Sequence, residues 1–266
     1  MAVQSEYGKL SIFEDFAGHL PTTTISDATA LRFNNLVLIA VSGDVDVVTT
    51  VDESGGVISF TGAGGAADGI GITTGMVYQP SSNGPITCEY RFKGASASDL
   101  RVFAGWQETM LLTEPVNPFT LSGTTLTSND GGNVVGFYTD TSATTDDFRF
   151  HASLDGTELT TAVVESSVDG SSTLGALGIR AQCTLTADSW YIARVTLYPD
   201  GSAEGWFGHT SMANNTGLTR IARLAAGTLD PAALYFPHLH LAAASIGDPL
   251  LEADYFAAKG NRDWAA

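Results

Sequence analysis

The stretch from Ser189 to Phe207, SWYIARVTLYPDGSAEGWF, limits the possible folds of this chain more than any other. Proline presets the backbone for a turn and glycine accepts a positive φ, so Pro199-Asp200-Gly201 predicts a tight reversal. Side chains alternate along a strand, so odd-numbered residues from Tyr191 to Leu197 share one face and even-numbered residues from Ile192 to Tyr198 share the other. The stretch therefore predicts a β-hairpin.

The same pattern recurs along the chain: short segments of alternating apolar and polar residues are separated by turn residues. We expect about a dozen strands and few helical patterns, which indicates an all-β fold of two packed antiparallel sheets. The chain length suits one domain over residues 11–266, preceded by an arm at residues 1–10. The segments that predict strands include LVLIAV, VISFTG, TCEYRFKG, LRVFAGWQE, VVGFYTD, DFRFHASL, LTTAVVES, LHLAAAS and LLEADYFAAK.

Three segments predict something other than a regular strand. Residues 113–133 contain two prolines and an NDGGN cluster, so we expect a long loop or excursion there. The run GAGGAADGIGITTG from Gly62 to Gly75 predicts turns and bulges, because it lacks the lysine and the following helix of a phosphate-binding loop. GLTRIARLAAGTLD, residues 217–230, is the most helix-like piece.

The charge of the chain restricts its partners. The sequence has 29 acidic and 12 basic residues, for a formal net charge of -17. Such a chain repels phosphate backbones and anionic lipids, so nucleic acid and membrane surfaces are not expected partners. The N-terminus has no basic start followed by an apolar run, and no apolar stretch is long enough to span a bilayer. We expect the product to be made in the cytoplasm.

Cys88 and Cys183 each lie in a strand-like segment. In a reducing cytosol we expect them to be buried free thiols. Pairing would require their Cα atoms to lie within about 7 Å of each other.

The sequence contains no catalytic constellation. Retaining glycosidases need two carboxylates about 5 to 5.5 Å apart, commonly from alternating Glu residues on one strand. The nearest acidic pairs, Asp146-Asp147 and Asp44-x-Asp46, fall at expected loops or strand ends. There is no GxSxG motif, and neither cysteine has a context that lowers its pKa. We therefore expect no enzymatic activity, no cofactor and no catalytic residue.

Three sets of residues are candidates for binding, each with a structural alternative. His238 and His240 would point to one face of a strand and could share a metal, but exposed or interface histidines are the simpler interpretation. Oxygen ligands around expected loops could hold Ca²⁺ or simply be solvated. Aromatic residues alternating within strands could be core or a sugar-stacking platform. The oxygen ligands are Asn129, Asp130, Asn133, Asp140, Asp146 and Asp147, and the aromatic residues are Trp106, Trp190, Trp206, Tyr138 and Tyr255.

Several strings together resemble the concanavalin-like jelly rolls found in structural proteins of tailed phages. These strings cover nearly the whole chain, although they are strand patterns and turns rather than site motifs. They are FEDFAG, GGVISFTGAGGAADG, CEYRF, VFAGW, VGFYTDTSATTDDFRFH, WYIARVTLYPDGSAEGWF and DYFAAKGNRDW.

The resemblance implies a virion component that decorates or cements the capsid from the outer head surface. Implied partners are the major capsid protein or other virion proteins and further copies of the chain, with a trimer favoured. Two alternatives stay open: a glycan- or receptor-binding fibre or tail module, and a glycan hydrolase or lyase. The Asp/Asn loop with which lectins hold metal and sugar cannot be matched here residue by residue, so the sequence assigns no metal ligand.

Overall fold

The computed structural model describes residues 9–16, 22–50, 56–62, 68–94, 100–109, 117–129, 131–141, 147–183, 185–209, 217–244 and 250–261. These residues form 21 strands and one short helix, α1 (Pro80–Asn83). The strands are β1 (Lys9–Glu14), β2 (Thr23–Ile25), β3 (Ala30–Phe33), β4 (Leu36–Val41), β5 (Val45–Thr50), β6 (Val57–Gly62), β7 (Gly69–Thr74), β8 (Ile86–Gly94), β9 (Arg101–Gln107), β10 (Phe119–Ser122), β11 (Thr125–Ser128), β12 (Val134–Asp140), β13 (Arg149–Leu154), β14 (Thr157–Glu158), β15 (Val164–Ser167), β16 (Ile179–Arg180), β17 (Tyr191–Leu197), β18 (Ala203–Gly208), β19 (Thr219–Leu224), β20 (Phe236–Ala242) and β21 (Leu250–Asn261).

The strands form two large antiparallel sheets, which confirms the expected all-β sandwich. Sheet I has the order β15-β19-β18-β17-β8-β21-β6-β5-β2, and β1 also pairs with β21. Sheet II has the order β14-β13-β12-β9-β20-β7-β4-β3, and β16 also pairs with β13. The chain crosses repeatedly between the sheets, as in a jelly roll.

The predicted hairpin is present. β17 pairs with β18, with Leu197 opposite Ala203, and Gly201 has a φ of 76°. The Asp200 carboxylate accepts hydrogen bonds from the backbone N–H and the hydroxyl of Ser202, at 2.9 and 2.6 Å. The odd-numbered residues from Tyr191 to Leu197 are all buried, so the prediction that they share one face is confirmed.

The main core fills the space between the sheets. Phe148 of the segment before β13 lies 4.7 Å from Phe207 of sheet I and 5.0 Å from Tyr191, measured between ring centroids. Tyr90 and Cys88 of β8 point into the same core and are fully buried. Aromatic rings at these separations add specific packing to the burial of apolar surface.

A second, smaller core lies on the outer face of sheet II. The β10–β11 hairpin covers this face, with the Phe119 ring 6.0 Å from Phe103 and 5.5 Å from Tyr138 between centroids. Leu121 and Leu126 of the same hairpin are buried there. The expected loop at residues 113–133 therefore contains a hairpin, whose turn is at Gly123 rather than at the NDGGN cluster.

Part of the glycine-rich run is a regular strand, which corrects the sequence interpretation, and residues 63–67 of the run lie outside the described residues. Its second half is β7, a buried strand between β4 and β20. A Cβ atom at Gly69 would lie 2.3 Å from the Leu241 carbonyl oxygen, so glycine is needed here for close approach of two strands.

The helix-like prediction for residues 217–230 is wrong. Residues Thr219–Leu224 form β19, because β18 offers a free edge and the β19 residues Ile221 and Leu224 join the main core. LTTAVVES is strand only from Val164 onward. Residues 1–8 of the expected arm lie outside the described residues, and Lys9 is the first residue of β1.

Candidate functional site

The outer face of sheet I carries alternating charged and aromatic side chains, and we call this surface the platform. It arises because the inner residues of β8 and β17 face the core, which leaves their neighbours pointing outward. The platform consists of Phe13, Glu89, Arg91, Lys93, Glu165, Trp190, Arg194, Tyr198, Glu204, Trp206, Arg220, Arg223, Glu252, Asp254, Tyr255 and Lys259.

Strand register places complementary side chains side by side across the platform. Glu89 of β8 lies opposite Arg194 of β17, and Arg194 lies opposite Trp206 of β18. Trp206 in turn lies opposite Arg220 of β19. Directly opposed residues on one face of a sheet are within contact distance, so these four side chains form one continuous row.

Ion pairs organise the half of the platform nearest β21. Arg194 pairs with Glu89, and Arg91 pairs with Asp254. The Lys93 ammonium lies 2.7 Å from the Glu252 carboxylate. Such pairs at a partly exposed surface contribute little stability, so their main effect is to hold the charged groups in place.

The two tryptophans of the platform are covered by cations. The Arg91 guanidinium carbon lies 4.5 Å from the Trp190 ring centroid, and the Lys93 ammonium lies 5.0 Å from it. Arg220 lies over the Trp206 ring at 5.9 Å. Cation–π contacts of this kind orient the rings and occupy ring faces that a sugar would need for stacking.

Glu204 organises the other half of the platform. Its carboxylate accepts hydrogen bonds from the Tyr198 hydroxyl at 3.0 Å and the Trp206 indole N–H at 3.3 Å. It also accepts from Arg220 at 3.3 Å and Arg223 at 3.1 Å. Glu204 is only 6% exposed, so this satisfied carboxylate positions, from beneath, one exposed partner, Arg220, and three half-buried partners.

Burial and carboxylates keep the platform tyrosines protonated. Burial raises the pKa of Tyr255, and its hydrogen bond to Glu89, 2.6 Å long, raises that pKa further. Burial likewise raises the pKa of Tyr198, and the hydrogen bond to Glu204 adds to the effect. Both hydroxyls therefore act as donors at neutral pH.

A groove crosses the platform between β1 and β8, above β21. It consists of two adjoining cavities of about 190 Å³ and 370 Å³ that share Ser11, Thr87 and Lys259. Phe13, Tyr255, Glu89 and Arg194 line its first part, and Pro85, Gly260 and Asn261 line its second part.

Charge is distributed unevenly between the platform and the rest of the chain. The platform holds six of the 12 basic residues and five of the 29 acidic residues. The remaining 24 acidic and six basic residues lie elsewhere in the sequence. The platform is therefore close to neutral on a strongly acidic protein.

Of the acidic pairs named from the sequence, the described residues Asp44, Asp46 and Asp147 are either exposed or ion-paired. Asp44 and Asp46 are exposed, and Asp46 accepts a hydrogen bond from Thr24 at 2.5 Å. Asp147 pairs with Arg149 at 3.5 Å and Arg180 at 2.7 Å. Asp146 lies outside the described residues.

Among the described residues, the proposed oxygen ligands for Ca²⁺ that border β12 lie far apart. Asn133 precedes the strand and Asp140 ends it, so the two are about 23 Å apart at the rise of seven strand residues. The Asn133 amide oxygen accepts from the Asp155 backbone at 3.1 Å, and Asp140 pairs with Arg101 at 2.9 Å. Asp130 lies outside the described residues. Within the described part of the chain, no three His, Cys, Asp or Glu side chains are placed to hold a metal ion.

The interpretation of His238 and His240 as exposed is wrong. Both are buried on the outer face of sheet II, with ring centroids 6.0 Å apart, near the β10–β11 hairpin. His238 Nδ1 lies 2.6 Å from Gln107 Oε1. Burial lowers the pKa of His240 to about 3, with a further decrease from nearby Arg101, so the ring is neutral. The alternation that placed both side chains on one face is confirmed.

The cysteines and aromatic residues named from the sequence lie either in the core or on the platform. Cys88 and Cys183 are buried free thiols, as predicted. Trp106 and Tyr138 are core residues. The other three aromatics named from the sequence, Trp190, Trp206 and Tyr255, are half-buried on the platform.

Sequence reasoning missed the charged partners that build the platform. Glu89, Arg194 and Glu204 come from three strands, and their pairing depends on strand order. The signal that could have found them is alternation along β8 and β17, which puts Glu89 and Arg194 on the polar face of each strand.

Comparison with known proteins supports the fold alone. No protein-family model and no curated protein sequence matches the chain. A solved structure of a protein of unknown function from Shewanella oneidensis MR-1 is similar over 100% of this chain and 92% of that chain, with 12% identity and a TM-score of 0.56.

Two further solved structures are less similar. The structure of peanut lectin with a 9mer peptide aligns with 91% of this chain and 98% of the lectin chain, with 11% identity and a TM-score of 0.48. The CBM2 module of an evolved Dit protein from Lactobacillus casei BL23 phage J-1 aligns with 98% of this chain and 100% of the module's chain, with 10% identity and a TM-score of 0.49.

Within the described residues, no helix has the length and apolar character needed to cross a bilayer.

Proposed function

We propose that this protein is a non-enzymatic virion component that binds the outer head surface of a tailed phage and stabilises the shell, with the platform as its docking face. The observation that carries the proposal is the array of half-buried Trp, Tyr and Arg side chains held by ion pairs on the platform. The sequence resemblance to jelly rolls of phage structural proteins points to the same role.

The composition of the platform suits a protein partner. Protein interfaces are enriched in Tyr, Trp and Arg, and residues of these types carry most of the binding free energy. Trp190 and Trp206 are already oriented by cations, and Glu204 fixes Tyr198. Binding through pre-ordered side chains costs less conformational entropy than binding through mobile ones.

The charge distribution supports one orientation on a partner. The acidic remainder of the chain keeps copies apart in solution and disfavours contacts through other faces. The nearly neutral platform lacks this repulsion, and its fixed charges of both signs select the register of a complementary surface.

The carboxylates of the platform have structural partners, which supports a non-enzymatic role. Glu204 receives four donors, and Glu89 receives the Tyr255 hydroxyl and the Arg194 guanidinium. Release of reducing ends from a panel of polysaccharides would contradict this part of the proposal.

The direct test is co-sedimentation of the purified protein with shells of the phage that encodes it, prepared without the protein. We expect wild type to sediment with shells and to raise the temperature at which they disrupt, because a ligand specific for the assembled lattice stabilises it by mass action. Each contact should bury about 1,200 Å² or more.

A matched pair of variants tests the docking face. Arg194→Ala combined with Trp206→Ala removes two platform residues, and we expect a loss of affinity of about tenfold or more. Arg180→Ala is the control, because Arg180 is 51% exposed and ion-paired with Asp147 but lies in sheet II. Equal binding by both variants would reject the platform as the docking face.

The proposal includes assembly into a homo-oligomer, with a trimer favoured from the family resemblance. Light scattering on the purified protein and on protein released from shells measures the mass directly. A monomer in both preparations would remove the trimer from the proposal.

A further inference from the structure

We infer that the groove above β21 holds an extended acidic segment of the neighbouring shell subunit, in which an apolar side chain and a carboxylate are two residues apart. The inference rests on the proposed docking role of the platform and names the chemistry that the groove recognises. It uses the groove residues of β1, β8, β17 and β21.

The length of the groove suits a short extended peptide. Its lining residues on β21 run from Tyr255 to Asn261, six steps along the strand. At the rise of an antiparallel strand this spans about 20 Å, which accommodates about six extended residues.

One end of the groove is apolar. Phe13 is 44% exposed, and its ring centroid lies 5.8 Å from that of Tyr255. Ala257 is paired with Phe13 in the β1–β21 register, and its small side chain leaves space beside the ring. An exposed phenylalanine beside an open floor offers a contact for an apolar side chain of a partner.

The middle of the groove is positive. Lys259 is exposed and forms no ion pair with any residue of the described segments. The Arg194 guanidinium is 41% exposed and contributes a second positive charge, against the single negative charge of Glu89. A carboxylate seated beside Lys259 would therefore meet an unpaired ammonium and a net positive field.

Strand register sets the spacing of the two contacts. Phe13 pairs with Ala257 and Ser11 pairs with Lys259, so the apolar and cationic positions are two residues apart along β21. Two residues of a strand span about 7 Å, and side chains at that spacing point the same way. An extended ligand matches this arrangement in either chain direction if its apolar and acidic residues are separated by one residue.

The acceptors of the groove favour a peptide over a glycan. One Glu89 carboxylate oxygen accepts from the Tyr255 hydroxyl and the other from Arg194. Each hydroxyl of a neutral glycan both donates and accepts, whereas a peptide carboxylate only accepts and carries a negative charge. Lys259, which has no ion-pair partner among the described residues, is a donor that such a carboxylate matches.

The probe is the peptide acetyl-Ser-Phe-Ser-Glu-Ser-Ser-amide, titrated into the ¹⁵N-labelled intact protein and followed by amide chemical shifts. We expect saturable shifts of β1, β8 and β21 amides, with weaker binding at high salt because the contact is electrostatic. The same peptide with Gln in place of Glu should bind at least about threefold more weakly, since it lacks the charge.

Variants separate the groove from the rest of the surface. Lys259→Glu and Phe13→Ser should each weaken peptide binding about tenfold, while Arg180→Glu should leave it unchanged. Lys259 is exposed, so its substitution leaves the fold intact, and the unchanged amide spectrum of each free variant verifies this. Equal binding of the Glu and Gln peptides, or shifts mapped away from the groove, would overturn the inference.

A third ligand and the shell assay separate the alternatives. Saturable binding of hexagalacturonate without binding of the peptide would overturn the peptide inference and assign the groove to acidic glycans. Shells that bind wild type and Lys259→Glu equally would also overturn it while leaving the proposed function standing. Peptide binding without shell binding would instead reject the proposed function.

Discussion

Trp106 of sheet II donates its indole N–H to the backbone carbonyl of Val195 in sheet I, 3.1 Å away. In the opposite direction the Tyr90 hydroxyl of sheet I donates to the Gly105 carbonyl of sheet II at 2.9 Å. These two bonds join the sheets through a largely apolar core, so they set how one sheet lies over the other. Buried polar groups that are satisfied in this way make the packing specific.

Removing the Trp106 donor should destabilise the sandwich. We expect Trp106→Phe to lower the free energy of unfolding by about 1–3 kcal/mol, because it deletes a buried hydrogen bond and leaves space in the core. Urea unfolding followed by circular dichroism measures the change. Trp190→Phe is the matched control at a half-buried platform site and should lower the free energy of unfolding by a smaller amount. Equal losses for the two variants would contradict a special role for Trp106.

Neutralising Glu204 should disrupt the platform from beneath. Glu204→Gln leaves Arg220 and Arg223 without their shared carboxylate, so we expect a loss of about 1–3 kcal/mol in unfolding free energy. Glu165→Gln is the control: Glu165 is 46% exposed and pairs with Arg223, and its substitution should cost under about 1 kcal/mol. If both variants cost the same, Glu204 does not organise the platform.

The buried histidines should make stability depend on pH. Burial lowers the pKa of His151 to about 3 from 6.5, and neither ring nitrogen has a hydrogen-bond partner among the residues that the structure describes. The unfolded chain binds a proton below about pH 6.5 that the folded protein does not, so unfolding free energy falls as pH falls toward 3.

The slope can be assigned to one residue. His151→Phe should flatten the fall by about 1.4 kcal/mol per pH unit between about pH 6 and pH 4. Denaturant unfolding at each pH measures the free energy of unfolding of both proteins. At pH 8 the histidine is neutral in the folded and the unfolded state, so the difference between variant and wild type there reports the packing effect alone. Parallel curves for wild type and variant across this range would show that His151 is not buried as a neutral ring.

A side chain at Gly69 should block the pairing of β7 with β20. A Cβ atom there would lie 2.3 Å from the Leu241 carbonyl oxygen, so we expect Gly69→Ala to lose about 3 kcal/mol or more. Gly131→Ala is the control, because nothing lies within 4 Å of its Cβ position. Thermal unfolding of the two variants provides the comparison, and a stable Gly69→Ala protein would contradict the close approach.

Both thiols should be unreactive in the folded protein. Burial raises the pKa of Cys183 to about 12 and raises that of Cys88 as well, so neither forms thiolate at neutral pH. We expect an aromatic disulfide reagent to label two thiols rapidly in denaturant and almost none without it. Rapid labelling of the native protein would show that a cysteine-bearing strand is exposed.

Some of the platform could be foreseen from local pattern. The alternation in TCEYRFKG and in the strand from Tyr191 puts Glu89 and Arg194 on the polar face of each segment, and both point away from the core. Their pairing could not be foreseen, because β8 and β17 are separated by about a hundred residues of sequence and only strand order makes them neighbours. The groove likewise depends on β1 lying beside β21.

The residues whose environment was predicted wrongly show the same contrast between local pattern and tertiary contacts. His238 and His240 were placed on one face correctly, but the hairpin near that face comes from a segment whose prolines and glycines suggested only a loop. Residues 217–230 have a helix-like pattern, and β19 forms there because a neighbouring strand edge offers hydrogen bonds and a core.

By itself, the sequence determined most of the strands, the main turn and the alternation of side chains between two faces, since these depend on backbone sterics and a two-residue period. The tertiary structure alone decided which outward side chains meet, which outer face is covered and where a groove opens. Those outcomes depend on contacts between residues distant in sequence, and strand pairing selects them through the combined burial and hydrogen bonding of the whole sandwich.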